Sequence, residues 1–329
     1  MPGTHPPVRA RHYCQPVVVI VHLWSSDTET SRGHAMSNSR GLRAALVLCA
    51  VVGATGLVPA AATAEPTVPQ RGVHYVALGD SRASGPLVEA SAHRDLCLRS
   101  PEQNYPAELA RLIGASEFTD VTCSAAKPAH VLDTPQFVGT RFAPPQIEAL
   151  RADTDLVTLS IGGGGSNHLA VSVRCVAIAP EADARCRNNP RAEQLATLGI
   201  AEMAPRVDAV VAAIVAKASN AEVYLIGHGG SVGHRGCWPN LPLSDADAVW
   251  LSGYFDRFNQ IYVDAAARHG VHYIDIAGAS IGGGHDACAP DDQRWFEGIL
   301  PRSPAEPAHP NELAMAAIAE MVAADITAS

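Results

Sequence analysis

The stretch Val76-Ala77-Leu78-Gly79-Asp80-Ser81-Arg82-Ala83-Ser84-Gly85 runs from a short apolar strand into a turn of small residues that holds two serines. The strand reads as ending at Leu78, so Gly79, Asp80 and Ser81 must turn the chain sharply toward a helix. In an open parallel α/β sheet, ligands bind beyond the carboxyl ends of the strands, which puts Ser81 where an active site belongs. Ser84 lies a helical turn further on and reads as a capping or core-edge hydroxyl. Asp80 reads as an acceptor of local backbone hydrogen bonds, because adjacent residues on a tight turn diverge.

Working outward, the runs 118–123, 155–161, 222–226 and 271–276 are short, apolar and rich in β-branched residues. With 74–78 they read as five buried strands. Segments with helical spacing alternate with them, at 105–113, 145–151, 192–217 and 245–269, and a last one covers 311–324. This alternation predicts an α/β fold, a three-layer α/β/α sandwich around a five-stranded parallel sheet. Glycine runs at 162–165 and 282–284 fall after or near strands, where a tight turn or a close backbone approach is needed.

The net charge of −9, with 17% charged residues and no basic run in the body of the chain, argues against phosphate neutralisation and so against a nucleic-acid partner. From Met36, Arg40 and Arg43 precede an apolar run that closes on Ala62-Thr63-Ala64. That pattern predicts a signal peptide over 36–64, cleaved after Ala64. Residues 1–35 read as a start-site extension, and 65–329 as the exported domain, secreted or held at the cell envelope with no membrane span left after cleavage. Export suits the cysteines: Cys97, Cys123, Cys175, Cys186, Cys237 and Cys288 lie in that domain, an even number without a CxxC pair. Disulfides are favoured over zinc, with the connectivity left open by the sequence.

A serine hydroxyl is a weak nucleophile until a base takes its proton, so Ser81 needs a histidine from elsewhere in the chain. Among the 14 histidines, His309 stands out by position: it sits in a proline-held loop just before a helix that Asn311 can cap. The sequence His228-Gly229-Gly230, with His234 beyond it, suggests either a metal site or an HGG-type oxyanion loop; it reads better as a substrate-side loop without a ligand role. The segment Trp295-Phe296-Glu297-Gly298 either lines an acyl pocket or simply packs.

Taken together, Gly79-Asp80-Ser81 after the first strand, "VTCSAA" at the second, a glycine turn after "DLVTLSI" and His309-Pro310-Asn311 before the last helix resemble the SGNH, or GDSL, hydrolase family over nearly the whole exported chain. The resemblance implies a flavodoxin-like sheet order, Ser81 as nucleophile and His309 as the general base that later protonates the leaving group. The oxyanion hole would take the backbone N–H of Ser81 and that of Ala125, where the family usually has glycine. Its third donor is an asparagine side chain, but Gly164 stands at that position, and Asn167 could fill the role if the loop bulges. The acid expected three residues before His309 reads Glu306, either a triad acid or a residue that contributes only its carbonyl. The resemblance also implies the pairs Cys97–Cys123, Cys175–Cys186 and Cys237–Cys288.

The function so implied is a serine ester hydrolase, a lipase or carboxylesterase taking a small-molecule or lipid acyl ester, monomeric and without metal or organic cofactor. A carbohydrate deacetylase shares the same machinery. Gly164 also admits a relative that kept the fold and lost the reaction.

Overall fold

The computed structural model describes residues 72–328, so the expected start extension (1–35) and signal peptide (36–64) lie outside the described residues. Strand β1, His74–Gly79, is buried along its whole length and forms the centre of the sheet's first half. It is flanked by β2, Glu117–Asp120, and β5, Leu156–Ser160, followed outward by β6, Glu222–Ile226, and β7, His272–Ile274. All pairings in this order, β2-β1-β5-β6-β7, are parallel. The five strands anticipated from the sequence are therefore the five strands of the sheet, in the flavodoxin-like order. The order reverses between β1 and β5, and such a switch point opens the crevice in which ligands bind.

Alternation along the strands builds a core on each face, since successive side chains point to opposite sides. Val76, Leu78, Val157, Leu159, Val223 and Leu225 enter a cluster with helices α5, Pro190–Lys217, and α6, Asp245–His269. Tyr75, Ala77, Tyr224 and Ile226 face the other way, against α2, Tyr105–Leu112, and α8, Glu312–Ala328. Burial of these side chains, at roughly 1.5–3 kcal/mol each, is the main force holding the layers together.

Several short elements escaped the sequence reading. They are α3, Pro128–Leu132, α4, His168–Ser172, α7, Ile276–Gly283, and an antiparallel hairpin of β3, Gln136–Val138, with β4, Arg141–Ala143; the helix expected after Gly79 is the single turn α1, Ser81–Ser84. The expected strand at 271–276 stops at Ile274 because Asp275 caps α7, accepting the Gly278 N–H at 2.9 Å. The expected helix at 145–151 is a 3₁₀ turn over Gln146–Ala149. Among the described residues, no helix is long and apolar enough to cross a membrane.

Candidate active site

Gly79 ends β1 with φ of 153°, and a Cβ there would stand 2.5 Å from the Ser160 carbonyl oxygen, so the corner into Ser81 requires glycine. The buried Gln146 side chain fixes this corner: its Oε1 accepts the Gly79 N–H at 2.8 Å and its Nε2 donates to the Gly79 carbonyl at 2.9 Å. Asp80 then caps α1, its Oδ1 accepting from the Arg82 N–H, while Oδ2 accepts from the N–H groups of Gly162 and Gly163 at 3.0 and 2.8 Å. Its carboxylate thus ties the turn after β1 to the turn after β5, in the local role read from the sequence.

Ser81 is the first residue of α1, and its hydroxyl lies 2.7 Å from His309 Nε2. The other ring nitrogen, Nδ1, is 2.8 Å from the carbonyl oxygen of Pro307. A carbonyl can only accept, so Nδ1 carries the proton and Nε2 is left to accept from Ser81. Burial, with the Arg82 guanidinium adding to it, lowers the His309 imidazole to about 4, which leaves it a neutral base at neutral pH.

This geometry corrects the expectation for Glu306. Its carboxylate approaches Nε2 at 3.8 Å and does not meet Nδ1, and its own carbonyl accepts the His309 backbone N–H. The acceptor that orients the ring is one residue further on. Ala308, with φ of 60°, folds the Pro307 carbonyl back onto the imidazole. The platform beneath comes from Trp295–Gly298: Glu297 N–H donates to the His309 carbonyl, Ala308 N–H donates to the Gly298 carbonyl, and Phe296 pairs with Pro310. That segment therefore packs and positions. Asn311 caps α8 as anticipated, accepting from Ala314 N–H, and its amide also donates to the Arg294 carbonyl and to Glu297, which is paired with the fully buried Arg294.

Ala125 adopts φ of 64°, so its turn is held in the left-handed region despite a Cβ. The Ser84 and Ser124 hydroxyls, 3.0 Å apart, join this turn to α1. Among the described residues, neither the Ser81 nor the Ala125 backbone N–H has a protein acceptor. Gly164 packs on the same turn so closely that a Cβ there would lie 2.6 Å from the Ala126 carbonyl oxygen. No side chain fits at 164 on this backbone. Asn167 does not fill the gap, because its amide donates to the Leu195 carbonyl at 3.0 Å and it stands against Gly199 of α5.

The disulfides Cys97–Cys123, Cys175–Cys186 and Cys237–Cys288 all form. The first ties the chain after α1 to the Ala125 turn. His234 is exposed and His228 is buried, and no cluster of three or more metal-ligating side chains occurs among the described residues. Arg82, Gln146 and the Pro307 carbonyl were not singled out in the sequence. A cation beside Ser81 was visible there, but its burial was not, and a main-chain acceptor leaves no residue-type signature.

Comparison with known proteins identifies the family. The GDSL-like Lipase/Acylhydrolase family model matches residues 77–317. Lipase 2 of Streptomyces coelicolor is 32% identical over 275 residues, which cover 81% of this chain and 90% of that protein. The crystal structure of phospholipase A1 from Streptomyces albidoflavus NA297 superposes with a TM-score of 0.62 at 26% identity, covering 78% of this chain and 99% of that one. The extracellular lipase from Streptomyces rimosus shares the fold, with a TM-score of 0.59 at 22% identity over 77% of this chain and 99% of that one. With its match extending over more than half the chain, from the strand before Ser81 into the helix after His309, this protein belongs to the GDSL-like lipase/acylhydrolase family of ester hydrolases.

Proposed function

We propose that this protein is an exported lipase or carboxylesterase that works through a Ser81–His309 dyad. The observation that carries the reading is the 2.7 Å contact between Ser81 Oγ and an imidazole whose other nitrogen is committed to the Pro307 carbonyl. As the Ser81 oxygen attacks the ester carbonyl, its proton passes to His309 Nε2 and the carbonyl electrons move onto oxygen. The N–H groups of Ser81 and Ala125 are placed to receive that charge. Collapse breaks the C–O bond, His309 protonates the departing alcohol, and an acyl-serine remains. Water, deprotonated by the same imidazole, releases the acid and restores Ser81.

Names of relatives, Lipase 2 among the curated proteins and phospholipase A1 among the structures, support a lipid acyl ester as substrate. The three disulfides and the signal-peptide pattern over 36–64 support export, and the chain is proposed to act as a monomer. The rival reading, a binding protein on the same fold, rests on Gly164; an assembled dyad favours catalysis. Hydrolysis of p-nitrophenyl acetate, butyrate and palmitate by the oxidised protein tests this directly. Turnover that disappears in Ser81→Ala and largely persists in Glu306→Gln is expected, and equal rates for wild type and Ser81→Ala on every ester would sink it.

A further inference from the structure

The hairpin of β3 and β4 takes no part in the chemistry, yet it is fastened beside it. Its inner face is moored: Gln136 Nε2 donates to the Ser124 carbonyl at 2.7 Å, one residue before Ala125, and Val138 clusters with the bridged Cys97 and Cys123. Its outer face carries Phe137 and Phe142, register partners whose ring centroids lie 5.3 Å apart and which are 60% and 67% exposed. A two-stranded hairpin is marginal alone, so the inner face keeps its shape while the two rings stand in water. An outward aromatic pair adds little to the core, and its burial is left for a partner.

Other apolar side chains are exposed on the same edge of the sheet. Leu169 lies on α4 and Ile178 in the segment after it, 77% and 94% exposed. Since β2 and β5 flank β1, the hairpin and α4 follow strands on either side of the one that leads into Ser81. Ile299 and Leu300, both exposed, follow Gly298, whose carbonyl accepts the Ala308 N–H next to His309. Among the described residues, none of the large exposed apolar side chains falls in the connections 113–116, 150–155, 218–221 or 270–271 on the opposite edge.

Area and charge say what kind of partner fits. The two rings expose about 250 Å² between them, taking roughly 200 Å² for a whole phenylalanine. That is well short of the ~800 Å² each partner buries in a stable protein pair. Apolar knobs on three separate loops suit a broad, deformable surface. Residues 161–173 contain no Lys, Arg, Asp or Glu, and 134–143 contain only Arg141. With a net charge of −9 the chain is repelled by an anionic surface, which leaves one without net charge.

We propose that this edge docks on the surface of a zwitterionic lipid aggregate, with the β3–β4 hairpin inserting Phe137 and Phe142 beside the Ala125 turn. The inference rests on the reading of a lipid acyl ester as substrate, since an ester held in an aggregate meets Ser81 only where the protein touches that aggregate.

The test uses the oxidised full-length protein and vesicles of ether-linked phosphatidylcholine, which hold no ester and so report docking without catalysis. Wild type is expected to sediment with the vesicles. The double variant Phe137→Ser, Phe142→Ser, altered only at exposed positions, should lower the partition coefficient by about 10-fold to 100-fold. Leu112→Ser, an exposed leucine at the end of α2 toward the opposite edge, should leave it unchanged. Wild type that stays in the supernatant, a double variant that binds as wild type does, or an equal loss from Leu112→Ser would overturn the proposal. Binding confined to anionic vesicles would also overturn it, as would a dimer in solution that the double variant dissolves, which would give the face to a second copy. Docking by a chain that cleaves no ester would instead strike the acyl-transfer reading and leave the surface assigned.

Discussion

Where the sheet's strands begin, the helices return through the brief connections 113–116, 150–155, 218–221 and 270–271. Where the strands end, the chain wanders through 80–104, 121–145, 161–189, 227–244 and 275–311 before the helix, or in one case the 3₁₀ turn Gln146–Ala149, that leads back. All six bridged cysteines, Ser81, His309 and the glycine turn lie on the second edge, while the first offers ion pairs such as Arg151–Glu117 at 2.7 Å. The contrast separates two kinds of stability. The layers are held by apolar burial that any chain of this pattern would achieve, and the reactive edge is held by crosslinks and polar clamps particular to this one.

Breaking the reactive edge at its centre should have the largest effect. Ser81→Ala is expected to lower kcat by about 10⁶-fold while leaving Tm near that of wild type, since removal of the nucleophile alone abolishes nearly all covalent catalysis. Steady-state kinetics beside thermal unfolding checks both halves. The pair Cys97→Ser with Cys123→Ser should cost about 2–4 kcal/mol of stability. Because that bridge anchors the Ala125 turn, kcat should fall as well at a temperature where the variant is still folded. Activity unchanged in a folded variant would show that the turn is set by its own backbone.

The pH profile sharpens the comparison further. A general base must be neutral to work, and His309 is held at about 4, so kcat/KM should stay level from neutral pH down and drop only near that value. A limb close to 6.5 would mean that the imidazole is less desolvated than its surroundings imply. Smaller still, Ala125→Gly should raise stability by about 1 kcal/mol by removing the Cβ from a left-handed residue, with the N–H retained. Arg151→Ala on the opposite edge should leave kcat untouched and shift Tm least, since exposed ion pairs are weak.

Much of this could be read from the residues because the strands announce themselves. Each of the five is a short apolar run between breakers, and alternation with helical spacing dictates a parallel sheet. Ser81 and His309 were legible through position, one after the first strand and the other before the last helix. The hairpin of β3 and β4 was not, since three-residue strands with Phe137 and Phe142 facing outward lack the length and polarity pattern of a strand. Nor was the fate of Asn167, which depends on an α5 carbonyl 28 residues away in the chain. His228 was visible as a residue of the loop after β6, but its burial and unpaired nitrogens arise only when α4 and α6 are packed around it.

The contact between Pro307 and His309 has a consequence for how this site can change over generations. The partner that turns the imidazole belongs to the main chain, so every amino acid at 307 supplies it and no point substitution deletes it outright. Residue 306 is released from the duty that a carboxylate would impose and is free to drift. An alanine scan of the loop would mark His309 as indispensable and pass over its helper in silence.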